Sequence, residues 1–446
     1  MKAAGRTATA VGLAAALVFA GGIGLFRGSV DAGTSATRVD VRAGDPAILT
    51  PAIGAASLEV SILALQERVR AVPSDARALA QLGLAYVAQA RVTADPSWYP
   101  KAEGVLSASL RLNDQDNVEA VLGEGALALA RHDFEVALRL GHRAQRLNPY
   151  DADVYGVIGD AELELGRYDL AFDTFQTMVD TKPELASYAR VSYARELLGD
   201  IAGALDAMQM AFDAAGSQAD AAWAAFQLGE LEWNRGNVRA ARTWYERGLE
   251  LDPGYVPNAA GLAKVAWASG DTGLAIERYT DVVARYPSVE YVSALGDLYA
   301  TTGRDDLAAQ QYAVVEATRQ LQQANGVNVD LEVALFDADH GDPAGALEAA
   351  RAEWARRQSV HVADAYAWAL YANGEFARAA TLSHRALELG TRNAAFLFHA
   401  GMIERALGDD AEALRLLYRA RALNPNFSIL HAPIVERVVA DLGTGR

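Results

Sequence analysis

The sequence predicts an all-α chain built from one helical hairpin repeated about ten times, and three observations carry that prediction. The first is the stretch from Ala152 to Leu185, where bulky residues fall at positions 4, 7, 17 and 24 (Tyr155, Ile158, Tyr168, Phe175) and small ones at 8, 15 and 20 (Gly159, Gly166, Ala171). Two apolar stripes at helical spacing, parted by Gly166 and closed by Pro183, describe a helix, a tight turn and a second helix. The second is recurrence: the same spacing returns from residue 57 to residue 442, leaving no room for a separate catalytic domain. The third is composition, 51% hydrophobic and only 8% aromatic, which suits helices packed at close range.

The totals exclude several classes of function. A net charge of -17 argues against nucleic acid, which needs clustered Lys and Arg to displace counterions. With no cysteine, disulfides, thiol catalysis and Cys-ligated zinc are ruled out.

Taken in order, the chain opens with Lys2 and Arg6 and then an uncharged run, Thr7 to Phe26, before Arg27. Residues 1–27 read either as a removable signal peptide, with Val18 and Ala20 before the cut, or as an uncleaved N-terminal membrane anchor. Either reading exports the rest of the chain. Residues 28–56, rich in Gly, Ser, Thr, Ala and Pro, read as a flexible linker. From 57 to 73, Leu58, Ile62, Leu65 and Val69 form a single stripe, expected to cap the array by covering its first stacking face. Repeats then fill residues 74–428. The first is interrupted by RVTADPSWYP, whose two prolines forbid a simple helix continuation, and the fourth ends in the overlong DAAGSQADAA. The eighth is the most irregular, because its first helix would place Asp330 at a normally buried position. Residues 429–446 supply a C-terminal capping helix and tail.

The 34-residue spacing and its alphabet resemble the tetratricopeptide repeat. That resemblance implies a right-handed superhelical solenoid with terminal capping helices. It also implies that the first helix of each hairpin lines a concave groove, with positions 2, 5, 9, 12 and 13 pointing into it. Carried over residue by residue, the groove holds Trp223, Phe226, Glu230, Trp233 and Asn234, then Lys264 and Trp267, then Ser293 and Asp297. It continues with Asp364, Trp368 and Tyr371, then Phe398, Met402 and Arg405; earlier repeats offer Gly156, Asp160, Ala186 and Ala189. The aromatics either bind a protein or peptide partner or plug gaps between helices. On the binding reading, replacing Trp233 and Trp267 together weakens partner capture without unfolding the array. Only Lys264 stands where a clamp for a terminal carboxylate needs a cation, so a basic or apolar segment is the expected ligand.

No catalytic constellation and no cofactor motif stands out. The run DADHGDP, with Asp337, Asp339 and Asp342, faintly resembles a calcium loop but lacks the downstream bidentate Glu, and a solvated turn capping the next helix is expected instead. Four segments, ARVTADPSWYPKAE, KPELASYARVSYARELLGD, QANGVNVDLEVALFDADHG and ALNPNF, resemble a bacterial group of exported or membrane-anchored tetratricopeptide proteins whose role is not established. The segment LQERVRAVPSDARALAQLGLAY is similar to the repeat domains of cytochrome c maturation factors. The reading is therefore an extracytoplasmic scaffold for protein–protein interaction, on the outer face of the cytoplasmic membrane or secreted. An assembly chaperone for an exported metalloprotein is the alternative.

Overall fold

The computed structural model describes residues 55–444, all of whose regular structure is helical. The N-terminal signal or anchor at 1–27 and most of the linker lie outside the described residues. A lone helix, α1 (Ala55–Ala71), precedes ten hairpins. The first five are α2 (Ala76–Thr93) and α3 (Trp98–Leu112), α4 (Val118–Ala130) and α5 (Phe134–Leu147), α6 (Ala152–Glu164) and α7 (Tyr168–Thr181), α8 (Leu185–Leu197) and α9 (Ile201–Asp213), and α10 (Gln218–Asn234) and α11 (Val238–Leu251). The second five are α12 (Val256–Ala268) and α13 (Thr272–Arg285), α14 (Val289–Thr301) and α15 (Asp305–Ala324), α16 (Asp330–His340) and α17 (Pro343–Arg356), α18 (Val360–Ala372) and α19 (Phe376–Ala386), and α20 (Ala394–Leu407) and α21 (Asp410–Leu423). A final helix, α22 (Ala432–Thr444), covers the last stacking face.

The hairpins close for the reason the sequence gives. In α6 a Cβ at Gly159 would collide with the Phe175 ring of α7, so the small residue lets the two helices cross closely. The same pairing of position 8 with position 24 joins Gly229 to Tyr245, Gly296 to Tyr312 and Gly401 to Leu417. Asx caps start the helices: the carboxylate of Asp133 accepts from Val136 N–H, and Asp271 and Asp409 do the same for α13 and α21.

The array winds through two coils, and the second sits on the first. The turn between α2 and α3 meets the loop between α13 and α14, where Tyr286 OH donates to Arg91 O at 3.2 Å. Eleven helices separate turn from loop, and the same offset recurs at each following hairpin. At the α4–α5 turn, Asn328 N–H donates to Arg131 O at 3.1 Å and His132 Nδ1 lies 2.6 Å from Asn328 O. At α6–α7, Val360 N–H donates to Tyr168 OH at 2.7 Å. At α8–α9, Thr391 Oγ1 donates to Leu197 O at 2.6 Å, and at α10–α11, Asn424 Nδ2 donates to Trp233 O at 2.8 Å. The final carbonyls of a helix have no intrahelical partner. Here donors from the second coil satisfy such carbonyls at the ends of α2, α4 and α8, and add a further bond to Trp233 O of α10, which also accepts from Gly236 N–H.

The densest part of this seam is ionic. Arg357, 3% exposed, pairs with Glu353 of its own coil and with Glu164 of the first, and its guanidinium lies 4.7 Å from the centre of the Phe134 ring. Burial pushes the Glu164 and Glu332 carboxyls up to about 7, against the pull of Arg357. Burial and the nearby Arg357 also push His132 and His361 down to about 4. Beside these charges an apolar cluster crosses the seam, bringing Tyr168 and Leu197 against Val360 and Phe396.

The structure refines the sequence reading at its irregular points. RVTADPSWYP is divided among the last turn of α2, a short connection and the first turn of α3, where Pro100 needs no intrahelical donor. The overlong connection after α9 lengthens α10 to 17 residues. In the eighth hairpin the distortion falls on α16, only 11 residues long, whose Asp330 stands in the first turn and pairs with Arg356. Among the described residues no helix is long and apolar enough to cross a membrane.

Candidate protein-interaction surface

The sequence-predicted groove residues fall in two groups. In the first, Trp223, Phe226, Glu230 and Trp233 recur along one stripe of α10, and Lys264 and Trp267 follow on the neighbouring α12. Lys264 Nζ lies 2.6 and 2.7 Å from the two oxygens of Glu230, and Tyr245 OH donates to the same carboxylate at 2.7 Å. Burial, then Glu230, holds the Tyr245 phenol well above its ordinary range. The partly exposed pair thus ties α10 to α12. Trp223, Phe226 and Trp267 remain partly exposed along these two helices.

Trp233 is different. It is 5% exposed, packs with Ala241, Tyr245 and Val265, and its carbonyl receives the seam bond from Asn424. Truncating this buried ring opens a cavity, so replacing Trp233 and Trp267 together carries a stability cost in addition to any loss of contact surface.

The second group runs from α14 to α20 and is joined by His431 from the connection after α21. Asp297 accepts from Tyr312 OH and His340 Nε2, both at 2.9 Å, while His340 Nδ1 lies 2.7 Å from Phe336 O. Both imidazole nitrogens face acceptors, an arrangement that favours the charged ring: burial opposes it, but Asp297 raises the His340 pKa. Trp368 Nε1 donates to Asp339 at 2.7 Å, and His431 Nε2 lies 3.1 Å from the same carboxylate, which stays below its ordinary pKa despite burial because of His431. The Trp368 indole is stacked between Tyr371 at 4.6 Å and His399 at 4.3 Å, and His399 pairs with Asp364. Phe398 is fully buried, against Trp368 and His431. Trp368 and Phe398 are therefore packing residues, and Tyr371 keeps a partly exposed edge. In the earlier repeats Asp160 forms a buried pair with Arg190.

The acidic run is no loop. Asp337 and Asp339 lie in α16, two residues apart on a helix and so on different faces, which defeats a shared cation site. Burial and the nearby Asp342 raise Asp337 to about 6, while Asp342 caps α17 through Gly345 N–H at 3.0 Å. Among the described residues no cluster of three His or acidic side chains forms a metal site. The expected solvated turn holds for Asp342, whereas Asp339 and His340 are drawn into packing. Sequence reasoning missed His431 and Arg357, which lie in connections where the repeat pattern assigns no role.

Models of the tetratricopeptide repeat match residues 122–186, 261–322 and 365–426, and a second such model matches 224–255. With the hairpin geometry above, the chain belongs to the tetratricopeptide repeat proteins, all-α solenoids that serve as scaffolds for protein–protein interaction and are typically non-catalytic. Among curated relatives it is 27% identical over 225 residues to cellulose synthase 1 operon protein C of Komagataeibacter xylinus; the match covers 48% of this chain and spans only 16% of that relative's length. Among solved structures it is similar to the APC/C hetero-tetramer Cut9-Hcn1 (TM-score 0.43, 15% identity, 87% of this chain and 82% of that one). It is also similar to a tetratricopeptide repeat protein from Parabacteroides merdae (TM-score 0.34, 14% identity, 58% and 98%).

Proposed function

We propose that this solenoid holds a protein or peptide partner on the stripe formed by α10 and α12, outside the cytoplasm. One observation carries the reading: Trp223, Phe226 and Trp267 stay partly exposed in a region where Trp233 and Tyr245 are buried. Rigid aromatic rings offer large contact area at small entropic cost. The Glu230–Lys264 pair beside them adds hydrogen-bonding groups without a surplus of positive charge, which favours an apolar or basic segment. Export is supported by Lys2 and Arg6 ahead of the apolar run to Phe26.

A photo-reactive side chain placed at Trp223, with a control at exposed Glu246 on α11, tests this in native cells followed by mass spectrometry. One partner captured from position 223 and not from 246, and lost in the Phe226→Ala, Trp267→Ala double variant, is the expected result. Equal capture from both positions, or capture indifferent to the double substitution, overturns it.

A further inference from the structure

The two kinds of interface in this molecule differ in construction. Successive hairpins pack helix along helix, burying apolar stripes such as Ala204, Met208, Leu228 and Leu231. Between coils no helix of the first packs at length along a helix of the second; the seam is made by turns, loops and the helix ends that flank them. Much of what it holds is polar: His132, Asn328, Arg357, Glu164, Thr391 and Asn424. Separating hairpins exposes apolar surface at about 25 cal/mol per Å². Separating coils lets buried charges and amides recover their hydration, which offsets part of the loss. The apolar cluster around Tyr168 and Val360 makes the closed seam the resting state.

From this we infer that the seam is a clasp: the second coil lifts from the first as a unit, lengthening the superhelix while all ten hairpins remain folded.

The chain carries two natural reporters. The amide of Asn328 donates to Arg131 O and the amide of Val360 to Tyr168 OH, each across the seam and each at a different hairpin. Hydrogen exchange of the unmodified full chain is expected to show both amides opening with one shared free energy, at least about tenfold more often than interior amides of α6 and α18. A glycine pair supplies the wedge. Gly199 (φ +75) and Gly374 (φ +74) share a left-handed backbone, but a Cβ at Gly199 would lie 2.5 Å from Gly390 O of the second coil, whereas at Gly374 nothing lies within 4 Å. Gly199→Ala is therefore expected to speed exchange at the distant Asn328 and Val360 and to enlarge the radius of gyration by small-angle scattering with helicity retained. Gly374→Ala is expected to do neither. Exchange of the two amides in step with the helix interiors, or at unrelated rates, overturns the clasp. So does a Gly199→Ala effect confined to its own turn.

Discussion

The turns of the first coil and those of the second are built from the same repeat, yet they live in different surroundings. Gly166, Gly199 and Gly236 are pressed against backbone carbonyls of Gln358, Gly390 and Leu423, while Gly303, Gly374 and Gly408 face open space. The corresponding position of the second hairpin is His132, at φ 60, whose ring reaches across to Asn328. One local motif thus serves as a hinge-pin in one coil and as a plain solvent turn in the other. The repeat fixes the backbone, and the winding of the solenoid decides what each turn touches.

That contrast is easiest to break at Arg357. Arg357→Met strands Glu164 in a buried site, while Glu353 keeps Arg356, and is expected to cost about 3–5 kcal/mol in thermal or denaturant unfolding. The exposed Arg247–Glu250 pair provides the comparison, and Arg247→Met is expected to stay within about 0.5 kcal/mol of the parent. Next in size, Gly199→Ala should be about 1–3 kcal/mol more destabilising than Gly374→Ala, since only the first adds overpacking to the shared backbone strain.

Glu332→Gln sharpens the same contrast by pH. The folded carboxyl titrates at about 7 because it is buried, whereas an unfolded Glu titrates near about 4.3. Between these values the folded chain holds a proton that the unfolded chain has released, so this group's contribution to stability falls as pH rises through about 7. The amide variant is expected to be more stable than the parent at pH 8, by about 2–4 kcal/mol, and nearly equal to it at pH 4. A gain that does not shrink on acidification would contradict the burial of Glu332 in the seam. Smallest of the set, Tyr168→Phe leaves the Val360 amide without its acceptor and should cost about 1–2 kcal/mol by chemical denaturation.

The hairpins were legible in the sequence because their determinants are local. Gly159 and Phe175 are sixteen positions apart, within one unit, and the helical period alone brings them together. The groove was legible only in part. Position within the repeat places Trp223, Glu230 and Lys264 on adjoining helices, but it cannot tell Trp223 from Trp233, since the burial of Trp233 includes a contact from Asn424, 191 residues away. The seam was illegible for the same reason. A partner nearly two hundred residues distant is set by the accumulated twist of stacked hairpins, to which each unit contributes a small rotation that spacing does not encode. Arg357 and His431 stand in connections, where the repeat alphabet imposes nothing.

A double-mutant cycle between Arg357 and Glu164, 193 residues apart in the chain, measures the stacking of the coils most directly. Unfolding free energies of the parent, Arg357→Met, Glu164→Gln and the double variant isolate the energy the two side chains share, because sites out of contact add independently. At pH 8 or above, where the Glu164 carboxylate is ionised, a coupling of about 1.5 kcal/mol or more is expected for charges that meet in a buried seam. Additivity within about 0.3 kcal/mol would mean that the two coils do not touch there, and the stacked arrangement would be wrong.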